Sequence, residues 1–127
     1  MKRILIAATL VAASVGAANA QDATAGETVF KKCLPCHAVG PGAKNKVGPE
    51  LNGIDGRHSG SAAGYNYSDA NKNSGITWNE QTFLEYIRDP KGKIPNTKMA
   101  FPGLKDEADA KNVWAYLKRY DAEGKTK

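Results

Sequence analysis

Cysteine is scarce in this 127-residue chain: there are two, Cys33 and Cys36, with His37 directly after the second. A disulfide between them would barely constrain the unfolded chain, because stabilisation by a cross-link grows with the length of the loop it closes. That argues against a structural staple. Histidine is equally scarce, with only His37 and His58, whereas a closed structural zinc site takes four ligands, ordinarily as closely spaced pairs. His58 stands alone in a glycine-rich stretch, so structural zinc fits poorly. Strand patterns are missing too, and a thioredoxin-like C-x-x-C belongs at a strand-to-helix junction within a β/α unit. No apolar run beyond the N-terminus is long enough to cross a bilayer, which takes about 20 residues. Nothing marks an internal repeat or a second domain.

The N-terminus carries what an export signal needs. Lys2 and Arg3 precede an apolar run from Ile4 to Ala18, and Ala18-Asn19-Ala20 is a small-x-small cleavage site. The expectation is a cleaved secretory signal over residues 1–20 and a single exported domain over 21–127. Cleavage removes two cations, so the formal charge falls from the +5 of the whole chain.

The remainder reads as helices separated by long irregular segments. A first helix is expected from about Thr24 to Lys32, with Val29 and Phe30 as apolar contacts and Pro35 preventing its continuation. Gly40 to Gly64 shows no sustained period, and loops of that length usually act on something or wrap something. Ser68 is placed to cap a turn through Lys72. Thr77 and Glu80 have capping-box spacing ahead of a helix that carries Phe83, Tyr86 and Ile87 on one face and ends at Pro90. Lys91 to Gly103 reads as irregular. The last helix opens with Asp106, Glu107 and Asp109, carries Val113, Tyr116, Leu117 and Tyr120 as its stripe, and ends near Lys118 and Arg119. Gly26 and Tyr116 are expected where first and last helices cross, since a residue without Cβ permits close approach.

C-x-x-C-H is the attachment signature of c-type haem. Two thiols about one turn apart reach neighbouring vinyl groups of one macrocycle, and the adjacent imidazole comes up beneath the iron. A large apolar cofactor also answers the fold problem, because modest helices and long loops bury too little apolar area alone. For the sixth iron ligand the candidates are few. Met1 leaves with the signal, His58 is the spare histidine, and Met99 lies in the proline-punctuated loop "KIPNTKMAFPG". Thioether ligation favours the ferrous state, and a site closed on both faces suits electron transfer better than catalysis. A haem enzyme or gas sensor with an open iron is the competing reading, and a thiol oxidoreductase a weaker third.

The stretches "GETVFKKCLPCH", "VGPELNGIDGRHSG", "GYNYSDANKNSGITW", "YIRDPKGKIPNTKM" and "WAYLK" resemble, in order, those of class I cytochromes c, most closely the bacterial cytochrome c2 and c-550 group and mitochondrial cytochrome c. The resemblance implies an all-α cytochrome c fold, with three main helices and long loops around one haem c. It implies thioether links at Cys33 and Cys36 and axial ligation by His37 and Met99. It further implies that the Pro49 carbonyl holds the other nitrogen of His37. Arg57, Tyr67, Asn71, Trp78 and Thr97 match positions around the haem propionates and pocket, Tyr86 the tyrosine beside the methionine sulfur, and Phe101 an aromatic at the exposed haem edge. Asn96 stands where the family often has glycine, and asparagine tolerates the left-handed backbone such a turn needs.

Lys31, Lys32, Lys44, Lys46, Lys91, Lys93, Lys98 and Lys105 flank the cysteine motif or the Met99 loop, while acidic residues crowd the C-terminal helix. Around an exposed haem edge such lysines would steer the protein towards acidic docking sites. The reading is a monomeric one-electron carrier and not an enzyme. The resemblance suggests a cytochrome bc1 complex as donor and a cytochrome oxidase or photosynthetic reaction centre as acceptor. Nucleic acid is not an expected partner.

Overall fold

The computed structural model describes residues 21–127, so the expected signal segment lies outside the described residues. Five helices follow one another: α1 Ala23–Phe30, α2 Asp69–Lys72, α3 Glu80–Arg88, α4 Pro90–Lys93 and α5 Glu107–Leu117. Only α1, α3 and α5 exceed one turn. Between α1 and α2 the described chain runs without regular structure, and its β content is two isolated bridges, His58 with Thr77 and Tyr120 with Thr126.

Each main helix begins at a side-chain cap that satisfies amides left over at a helix start. The Asp22 carboxylate accepts from Thr24 and Ala25 N–H, and Asp106 from Ala108 and Asp109 N–H. For α3 the register differs from expectation. Asn79 is the cap, accepting from Thr82 N–H while the Thr82 hydroxyl accepts from Asn79 N–H, so the reciprocal box is Asn79/Thr82 and not Thr77/Glu80. The cause is tertiary: the Thr77 hydroxyl is already paired with His58 Nδ1 at 2.8 Å. The segment after Pro90 also differs, since Pro90 opens α4 with Asp89 as its cap. Proline is well suited to a first helical position, where its missing N–H costs no bond.

The core lies where α1 and α3 meet α5. Phe30 packs on Tyr116 with ring centroids 5.4 Å apart, and Phe83 on Trp114 at 5.2 Å. Trp114, Leu117 and Val113 are among the most deeply buried side chains. Gly26 marks the α1–α5 crossing, because a Cβ there would fall 1.8 Å from the Asn112 carbonyl oxygen and 3.0 Å from Tyr116 Cβ. The helices must therefore separate if any side chain is added. Gly26→Ala is expected to cost about 1–3 kcal/mol, the usual range for overpacking, or about 4–8 °C in Tm per kcal/mol for a domain of this size. Thermal melts of the two proteins check this.

The long loops are tied back onto the helices. Gly48 N–H donates to the Cys36 carbonyl (2.7 Å), Leu51 N–H to Ala38 (2.9 Å) and Leu104 N–H to Ile87 (2.7 Å). Asn52, 7 % exposed, clamps Gly40 by accepting from its N–H (2.8 Å) and donating to its carbonyl (2.9 Å). Asn96 has φ +67°, the non-glycine residue with a left-handed backbone among those described. These ties hold the loops around a cavity.

Candidate functional site

A cavity of about 390 Å³ lies among α3, α5 and the loops. Its wall is largely apolar, with Phe30, Ile54, Phe83, Ile87, Val113 and Leu117 contributing. Core side chains that pack on one another thus also face a shared space.

The cysteine motif forms one side. It continues from α1 as a run of tight turns, in which Cys36 and His37 N–H both donate to the Cys33 carbonyl (3.0 and 2.8 Å). Cys33, Cys36 and His37 all line the cavity. Burial, reinforced by neighbouring Cys36 and only partly opposed by Lys32, pushes the Cys33 thiol up to about 11. A thiol-exchange catalyst needs a lowered thiol pKa, so this environment disfavours the oxidoreductase reading.

His37 Nδ1 lies 2.7 Å from the Pro49 carbonyl oxygen, an acceptor only, so Nδ1 carries the proton and Nε2 keeps its lone pair. Burial is the main influence lowering the His37 pKa, which favours the neutral ring. Gly48 makes room for that ring: a Cβ on it would lie 2.4 Å from His37 Cε1 and 2.9 Å from Nε2. Sequence reasoning missed Gly48, because a glycine before proline reads simply as a turn.

Met99, Tyr86, Trp78 and Phe101 line the cavity as well. The Tyr86 hydroxyl donates to Met99 Sδ at 3.2 Å and lies 3.3 Å from Thr97 Oγ1, which accepts from Met99 N–H at 3.3 Å. Burial raises the Tyr86 pKa, keeping the hydroxyl protonated as a donor. Trp78 stacks edge-on against Tyr86 at 5.1 Å. Thr97 is the exception among the sequence-derived site residues. It is not a lining residue and reaches the site only through Tyr86 and the Met99 backbone. His58, the other candidate ligand, is exposed and does not line the cavity.

Arg57, Tyr67 and Asn71 complete the set on a more polar stretch of wall, together with Ser59 and Ser68, which sequence reasoning did not single out. The Tyr67 hydroxyl accepts from Ala62 N–H (2.9 Å), and Asn71 Oδ1 accepts from the Ser59 hydroxyl (2.8 Å). Arg57 spends its terminal nitrogens on Glu50 and the Asn52 carbonyl. Its Nε is buried with no hydrogen-bond partner among the described residues. A buried donor without a partner is costly, and an anionic group in the cavity would satisfy it.

Two thiols one turn apart, an imidazole with its free lone pair, a thioether and an unsatisfied guanidinium donor thus share one apolar cavity. That donor set fits a flat, apolar metal macrocycle bearing acidic groups. Comparisons with known proteins agree. The sequence model of the family described as "Cytochrome c" matches residues 23–121. The chain is 60 % identical over 127 residues to cytochrome c2 of Blastochloris viridis, covering all of both chains. It is 65 % identical over 105 residues to cytochrome c-550 of Bradyrhizobium diazoefficiens, covering 83 % of this chain and 77 % of that one. Among solved structures, cytochrome c2 from Rhodospirillum centenum superposes with a TM-score of 0.75 at 40 % identity, covering 79 % of this chain and 98 % of the other. A match over most of the domain, a shared all-α fold and a cavity suited to covalent haem lead to one conclusion: the chain belongs to the cytochrome c family and, like its cytochrome c2 relatives, is an electron carrier and not an enzyme.

Proposed function

We propose that this protein is a periplasmic one-electron shuttle that holds one haem c through thioethers at Cys33 and Cys36, with His37 and Met99 as axial ligands. The bound haem supplies one-electron chemistry, its iron alternating between ferric and ferrous. The observation that carries the reading is the convergence of His37 and Met99 on one cavity, each held from behind: His37 by the Pro49 carbonyl and Met99 by the Tyr86 hydroxyl. A ligand fixed by an outer partner needs little rearrangement when the iron changes charge. Arg57 Nε–H and the hydroxyls of Tyr67 and Ser68 are the donors available to the haem propionates.

Encounter with partners uses the face around the cysteine motif and Met99 loop. Leu34 and Val47 are 44 % and 74 % exposed, and Val47 lines the cavity with Lys32 and Lys98. A small apolar contact ringed by cations suits brief redox complexes with acidic partners. Lys93 contributes less than its position suggests, since it is paired with Glu85. A bc1-type donor and an oxidase or photosynthetic reaction centre as acceptor follow from the resemblance, as does a monomeric carrier without nucleic-acid partners.

Mass spectrometry of the protein recovered from a periplasmic fraction tests export and attachment together. The expected species is residues 21–127 plus one haem; a full-length chain without added mass would contradict both. Electron transfer from the reduced protein to oxidase-containing membranes should slow several-fold as ionic strength rises through about 0.1 M, where the Debye length falls to about 10 Å.

Gly48→Ala tests the His37 seat. The added methyl has no room beside the ring, so the variant is expected to show weakened histidine ligation, seen as an admixture of high-spin spectrum absent from the parent.

A further inference from the structure

We infer that Glu50 is a positioning residue that tunes the reduction potential by orienting and neutralising Arg57. This rests on the haem-carrier reading above and adds a determinant to it. Glu50 is not a cavity-lining residue; it lines an outer groove with Asn45 and Asn52, whereas Arg57 lines the cavity itself. The two are joined twice. Arg57 Nη1 donates to Glu50 Oε1 at 3.3 Å, and Nη2 donates to the Glu50 backbone carbonyl at 2.9 Å. Nη1 also donates to the Asn52 carbonyl at 3.1 Å. The carboxylate is anchored in turn: its Oε2 accepts from Asn52 N–H at 2.7 Å, and Glu50 N–H donates to Asn45 Oδ1 at 2.9 Å.

Two consequences follow. With both terminal nitrogens held on the Glu50–Asn52 segment, Nε–H is left as the buried, unpaired donor, available to an acidic group of the cofactor. The ion pair is also partly withdrawn from water, with side chains 15 % and 24 % exposed for Arg57 and Glu50, so solvent screens it less than a surface pair. Oxidation adds one positive charge at the iron, which a nearby cation opposes. An unneutralised Arg57 would favour the ferrous state, and Glu50 offsets that bias.

The test is potentiometric titration of the purified holoproteins at neutral pH, with thermal melts alongside. Glu50→Gln removes the charge at nearly constant shape. At fixed ambient potential its ferrous-to-ferric ratio is expected to rise about three- to tenfold, tenfold being about 59 mV for one electron. Glu50→Asp keeps the charge and is expected to stay within about twofold of the parent ratio. Asp55→Asn removes an exposed carboxylate from the same loop and is expected to change it less than about twofold, being screened by water. An unmoved potential in Glu50→Gln, even with a lower Tm, would reduce Glu50 to a structural tie and overturn the inference. Equal shifts in Glu50→Gln and Asp55→Asn would overturn it too, by assigning the effect to net charge. Absence of covalent haem from the parent protein would instead overturn the carrier reading.

Discussion

Replacing Met99 by alanine is expected to lower the reduction potential of the holoprotein by roughly 0.2–0.4 V, a large part of the about 0.8 V range that haem axial ligands span. Thioether sulfur is a soft ligand that favours ferrous iron, and its loss leaves water or nothing in that position. The same variant is expected to bind carbon monoxide when reduced, because His58 is exposed and bonded to Thr77, and Lys98, the neighbouring amine on the cavity wall, is engaged with the Asn66 carbonyl. Potentiometry and a carbon monoxide difference spectrum check both parts. An unchanged potential would show that Met99 is cavity lining and no more.

The second large effect concerns folding. Replacing both Cys33 and Cys36 by alanine is expected to give a chain from which haem is lost on acid extraction and whose apoprotein has lost most of its helical circular dichroism. The magnitude argument is direct. Without haem the core side chains on the wall of this 390 Å³ cavity face water, and each large apolar side chain left exposed forfeits about 1.5–3 kcal/mol, against a typical domain stability of about 5–15 kcal/mol. Phe30, Phe83, Ile87, Val113 and Leu117 belong to the core and to the cavity wall at once, so collapse of one is collapse of the other. A helical, cooperatively melting apoprotein would contradict this.

What was legible in the sequence was what local chemistry decides. The cysteine motif needs only adjacent residues, and Met99 emerged from a short inventory of available ligands. Capping of the last helix was readable because Asp106, Glu107 and Asp109 act within one turn. What escaped depends on distant partners. The start of α3 was misplaced because Thr77 is committed to His58, nineteen residues earlier in the chain. Trp114 escaped because α5 is buried along two rows. The expected stripe includes Tyr116, against Phe30 of α1, while Trp114 meets Phe83 of α3. Gly48 and Glu50 look like ordinary loop residues until the loop folds back on His37 and Arg57. Thr97 acts one step behind the cavity wall, its hydroxyl serving Tyr86 and the Met99 backbone, a placement that only the folded loop shows.

The most direct test of the account is the optical spectrum of the mature holoprotein, oxidised and reduced, with carbon monoxide added to the reduced sample. The expected result is a low-spin haem with the weak long-wavelength band of ferric iron bound to methionine sulfur, and no response to carbon monoxide. A high-spin spectrum, or ready carbon monoxide binding by the unaltered protein, would mean an open iron and contradict the His37/Met99 carrier.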